Sequence, residues 1–249
     1  LTVGAGAANQ IDLDAITGTA EGAVSSLTIN STGVVDVAEA VGTDIGTVTI
    51  TNSGGTTFNS TVGAATFTLT DTADAATVSF LGNVTLSAGM TVSALGRSDA
   101  FNVSLTGTTN SIAGATTFFN TGTLTLGNGG TDATEFTGGV VATTQTGATN
   151  GIVLNGDVTA AGTGVITLGD TNTGITVSGS GTVGGASGGT ITMGDVLMAD
   201  GVTLTVGAGA ANQIDLDAIT GTAEGAVSSL TINSTGVVDV AEAVGTDIG

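Results

Sequence analysis

Residues 1–46 of this chain, Leu1 through Gly46, recur without a substitution as Leu204 through Gly249, an offset of 203. Identical copies laid end to end restrict the fold to a unit whose end accepts its own beginning, as in a solenoid or a row of tandem domains. The 249 residues hold one 203-residue unit, 1–203, and the first 46 residues of the next, 204–249, which we expect to continue the first without a break. Because it opens and closes in mid-phrase, the chain reads as a window on a longer array.

A shorter period lies inside the long one. Leu27-Thr-Ile-Asn-Ser-Thr-Gly33 aligns with Val48-Thr-Ile-Thr-Asn-Ser-Gly54 at a spacing of 21, and Phe67-Thr-Leu69 follows Val48-Thr-Ile50 by 19. Val84-Thr-Leu86, Leu124-Thr-Leu126, Ile166-Thr-Leu168 and Leu204-Thr-Val206 are 40, 42 and 38 residues apart, read as two short periods each. The expectation is about ten units of roughly 20 residues per long repeat, a length typical of a solenoid coil. Within units, Val48 and Ile50 alternate with Thr47, Thr49 and Thr51, and Phe67 and Leu69 with Thr66, Thr68 and Thr70. That is strand periodicity, with one face apolar and the other hydroxyl-bearing.

Turn clusters such as Asn52-Ser53-Gly54-Gly55, Gly127-Asn128-Gly129-Gly130 and Gly184-Gly185-Ala186-Ser187-Gly188-Gly189 separate the runs. Proline is absent, as suits strands paired on both sides, where a missing N–H would break a ladder. Ordering a 20-residue coil costs about 20–40 kcal/mol of backbone entropy, more than five or six buried aliphatic side chains offset. Such a coil folds only when stacked, so stability accumulates along the array. At about 4.8 Å per layer, ten coils predict a unit roughly 48 Å tall. The fold class expected is all-β, a parallel β-helix.

The 21 acidic groups face a single base, Arg97, and the net charge of −20 argues against nucleic acid and anionic membrane as partners. A polyanion of this kind stays soluble and resists side-by-side clumping unless divalent cations bridge it. There is no cysteine, so no disulfide framework, and no run approaches the ~18 apolar residues of a membrane span.

Phe80-Leu-Gly-Asn-Val-Thr-Leu-Ser-Ala-Gly89 and Leu154-Asn-Gly-Asp-Val-Thr-Ala-Ala-Gly162 resemble coils of bacterial surface β-helices. The similarity is to filamentous-haemagglutinin-like adhesins, autotransporter passengers and giant repetitive surface proteins, over the whole chain and through texture without a diagnostic motif. It implies a right-handed parallel β-helix, secretion to the cell surface, and a role in adhesion, sheath or stalk.

Catalysis needs positioned acids, bases or nucleophiles, and His, Cys, Lys and Tyr are all missing. Arg97, in Ala94-Leu-Gly-Arg-Ser-Asp-Ala100, reads as a partner of Asp99 or a cover for a turn, not as the base of a polysaccharide lyase. No enzyme is expected, and no catalytic, cofactor-binding or metal-binding residue is assigned. Asp12 with Asp14 and Asp71 with Asp74 are conceivable oxygen cages for Ca²⁺, but neither pair has the spacing of a Ca²⁺-binding repeat, and solvated acidic faces are the default. Like charges stacked in adjacent coils repel by roughly 0.8–3 kcal/mol per pair, so carboxylates should be staggered or neutralised.

The Thr rows resemble the flat Thr-x-Thr faces of ice-binding solenoids, though β-propensity explains Thr equally well and the spacing looks interrupted. Asn30, Asn59, Asn83 and Asn102 begin Asn-x-Ser/Thr sequons. Gly4-Ala-Gly6-Ala and its copy at Gly207 lack the Lys of a phosphate loop and read as turns.

The function expected is a segment of an extracellular filament, stalk or sheath whose partners are further copies of the repeat, end to end, with lateral association through divalent cations. The alternative is the shaft of an adhesin that binds glycan or another cell. Tandem β-sandwiches would also suit a stalk but call for buried aromatics and proline-bearing loops, both read as missing here.

Overall fold

The computed structural model describes residues 1–19, 24–42, 44–93, 100–143, 151–222, 225–245 and 247–249. Among them are 29 strands and no helix. The chain visits three parallel sheets in strict rotation, first, second, third, then the first again one layer on, so that they contain eleven, ten and eight strands. Near the start, isolated bridges from Ile16 to Val41 and from Val41 to Val62 occupy the third-sheet position. The result is a three-sided parallel β-solenoid of about nine turns. Parallel pairing throughout the named strands excludes the sandwich architecture, whose sheets are antiparallel.

The layers are longer than the spacing predicts. First-sheet partners lie 21 residues apart from Leu27 to Val48, 19 from Val48 to Phe67 and 26 from Thr91 to Thr117, and coils average about 24 residues. The reason is visible in the similar phrases. Val84–Leu86, Leu124–Leu126, Ile166–Leu168 and Thr203–Val206 fall on the third, second, first and third sheets. Each is the fifth strand on from the one before, so an interval near 40 residues is one and two-thirds coils, where two were expected.

Inside, alternate residues stack in apolar columns. One column of the first sheet runs Val3, Ile29, Ile50, Leu69, Val92, Phe118, Ala142, Leu168, Met193, Leu216 and Val240 through successive registers. Six of the seven phenylalanines are buried, so buried aromatics, counted as missing when the sandwich was weighed, are present in the solenoid. Phe58 and Phe80 stack at 5.1 Å between centroids, and Phe67 meets Phe80 edge-on at 5.0 Å, tying the first and second sheets together. Each fully buried side chain of this kind contributes about 1.5–3 kcal/mol.

The corners carry buried hydroxyls and amides. Ser31 Oγ donates to Ala7 O at 2.9 Å and accepts from Gly33 N at 3.0 Å, while Ser53 and Thr72 share a 2.8 Å hydroxyl contact one and two layers on. These bonds satisfy backbone groups that a tight corner leaves without a ladder partner. Gly33 is required there because a Cβ would be driven into Asn9 O of the preceding coil. At Gly127 a second reason joins the same kind of clash, here with Asn155 O: φ is +78°, in the left-handed region where a side chain strains the backbone.

Candidate functional surface

The strand alternation that fills the core also decides what the outer faces show. On the first sheet the outward column reads Thr2, Thr28, Thr49, Thr68, Thr91, Thr117, Val141, Thr167, Thr192, Asp215 and Asp239. Six threonines therefore stand in unbroken register, a regularity hidden in the sequence because the coils between them vary in length. The flanking rows do not match it: Ser26, Thr47 and Thr66 pair in register on one side, and on the other Ser93 pairs with Phe119. A flat two-column Thr-x-Thr face does not extend along the sheet.

The carboxylates are placed differently from the expectation of staggering. Asp12 pairs in register with Asp36 on the second sheet, and Asp215 pairs with Asp239 on the first. Amide donors offset part of the repulsion: Gln10 Nε2 donates to Asp12 Oδ1 at 2.9 Å, and Asn59 Nδ2 donates to Asp36 Oδ1. Other acids hold coil to coil. Asp74 Oδ1 accepts from Ala100 N at 2.9 Å, Asp157 Oδ1 from Thr182 N at 2.7 Å, and Asp195 Oδ1 from Ala218 N at 3.3 Å. Asp132 Oδ2 takes Asn128 N and Gly129 N within its own turn. Asp74 is thus a corner staple, and Asp71 is buried beneath the surface. Among the described residues no three His, Cys, Asp or Glu side chains converge as metal ligands.

The remaining candidates sort in the same way. Asn59 Nδ2 also donates to Val37 O at 3.2 Å, Asn102 Nδ2 donates to Ala75 O at 3.4 Å, and Asn83 Oδ1 accepts from Thr109 N at 3.1 Å. A glycan on Asn59 or Asn102 would replace one of those amide protons. Gly4 and Gly6, at φ +92° and +81°, are turn residues as expected, and Gly207 and Gly209 repeat them at +85° and +81°. Arg97 and Asp99 lie outside the described residues. One shallow groove of about 460 Å³ crosses the second sheet where Gly151 and Gly174 lack side chains beside Thr176, Leu197 and Thr220.

The recurring segment shows what stacking covers. Leu1 is 71% exposed, whereas its copy Leu204 is 1% exposed because Gly181 and its strand lie beneath it. Conversely Val238 is 39% exposed, while its counterpart Val35 is fully buried under the following coil. The signal was present in the exact recurrence, but only the stacking says which copy is covered. The chain matches no protein-family model, no curated protein and no solved structure at a significant level.

Proposed function

We propose that the chain is a segment of a structural, non-catalytic filament, stalk or sheath outside the cell, in which tandem 203-residue units continue one solenoid. The observation that carries this reading is the join between the copies. Thr203–Val206 pairs in register with Gly181–Gly185, then Ile214 with Ile191 and Ile219 with Val196, with no gap in the ladders. Leu204, Val206, Ile214, Leu216 and Ile219 are all buried there. A unit that accepts its own beginning this way polymerises within one polypeptide, and each added unit covers an apolar edge that would otherwise invite aggregation.

The extracellular placement rests on the textural similarity to bacterial surface β-helices and on the chain's solubilising charge. The self-repelling acidic faces suit a rod that stays apart from its neighbours until divalent cations bridge it.

Fibre diffraction and electron microscopy of the secreted protein test the proposal. A meridional spacing near 4.8 Å with unbranched rods is expected, and removal of one 203-residue unit should shorten each rod by roughly 42 Å. Separate globules along the chain, or rods that disassemble when one unit is removed, would overturn it.

A further inference from the structure

The two copies of residues 1–46 do not lie on the same sheets. Thr2–Val3 belongs to the first sheet and its copy, Thr205 and Val206 of the strand Thr203–Val206, to the third; Ile11–Leu13 belongs to the second and Ile214–Leu216 to the first. Ser25–Asn30 on the first is repeated by Ser229–Ile232 on the third, and Val35–Val37 on the second by Val238–Val240 on the first. Every element has moved back by one face.

The pairing between neighbouring coils is repeated despite the move. Asp12 pairs with Asp36 as Asp215 pairs with Asp239, and Ile16 bridges Val41 as Ile219 bridges Val244. Ser31 Oγ donates to Ala7 O and Asn9 O, and Ser234 Oγ donates to the equivalent Ala210 O and Asn212 O. A three-sided coil tolerates this because its backbone ladders run only to the coils above and below, whichever face they form.

The cause is arithmetic. Among the described residues, 24 strands and the two bridge positions at Ile16 and Val41 precede Thr203–Val206, which makes eight coils and two further sides per unit. We propose that successive 203-residue units are turned by one side, a third of a turn apart from any gradual twist, so that the filament has a three-fold screw. After three units the count is a whole number of coils and the phase is restored. At about 4.8 Å per coil, the rise is roughly 42 Å per unit and roughly 125 Å per full period.

The screw determines how the filament meets a second copy of itself. A whole number of coils per unit would put each lateral patch, such as the Asp12–Asp36 pair, on one side only. The extra two-thirds of a coil shows it on all three sides in succession, so side-by-side contacts are equivalent in three directions and favour a bundle over a one-sided ribbon.

The proposal rests on the filament reading above, but its first test needs only this chain, which has no native cysteine. Thr192 and Asp215 are in-register neighbours on the first sheet, as are Thr167 and Thr192 within the first unit. The pair Thr167→Cys with Thr192→Cys is the control, and Thr192→Cys with Asp215→Cys should bridge on mild oxidation as fully as it does. Leu197→Cys with Asp215→Cys should stay at background. Bridging of the Leu197 pair, or failure of the Thr192 pair while the control bridges, would overturn the phase. Helical reconstruction of rods with three or more units should then show a 120° step and a period near 125 Å. Rods whose units align without rotation would sink the screw and leave the filament reading standing; a chain that bridges as expected but forms no rods would do the reverse.

Discussion

At the scale of single residues, glycine and aspartate carry roles that composition alone assigns only in general terms. Gly33 and its copy Gly236 sit where a Cβ would strike the backbone oxygen of Asn9 or Asn212 in the preceding coil. Gly33→Ala should therefore destabilise by about 1–3 kcal/mol, as overpacking of a tight site does, whereas Gly174→Ala, on a strand with open space above it, should be neutral or slightly stabilising. Urea midpoints of the two variants check the contrast. The in-register carboxylates make a second prediction. Asp12→Asn combined with Asp215→Asn keeps the acceptor for the neighbouring glutamine but removes one charge from each stacked pair. It should raise stability by up to about 0.8 kcal/mol per pair at low salt and by little at high salt, where exposed charges are screened. Equal midpoints in low salt would count against the stacked arrangement.

At the scale of elements, strands of two to eight residues are too short to persist alone and owe their order to the layers on either side. The phenylalanine cluster shows where that coupling is strongest. Phe80→Ala would remove a ring in contact with both Phe58 and Phe67, leaving a cavity between two sheets. A loss of about 3–5 kcal/mol is expected, together with faster amide exchange in the strands Thr56–Phe58, Thr66–Leu69 and Thr77–Phe80. Exchange that rises uniformly along the chain would instead indicate one all-or-none unit. The strands themselves were legible in the sequence wherever Val, Ile, Leu or Phe alternated with Thr. Their assignment to sheets was not, because similar phrases on different faces look like successive layers of one face.

At the scale of the whole molecule, a stack of layers should accept the loss of an entire layer. Excising residues 67–89 joins Thr66 to Met90, the residue that pairs with Phe67 in the next coil. The product should stay folded, with an unchanged strand spectrum and a rod shorter by about 4.8 Å. Removing about half as many residues from the same point should place turns against strands and abolish folding, visible as loss of the circular dichroism of β-structure. Tolerance of both deletions would contradict register-dependent stacking.

By itself the sequence determined the class of fold. Exact recurrence, strand alternation, glycine-rich turns and the absence of proline admit few structures other than stacked parallel coils, because every coil must bury its neighbour's face. Only the tertiary structure decided that a coil has three sides and averages about 24 residues, that Asp12 lies beside Asp36, and that the second copy is displaced by one side. The physical reason is that a residue's periodicity states whether it points inward or outward, whereas which face it occupies depends on how many corners precede it. That count emerges only when the chain closes each turn upon the one before.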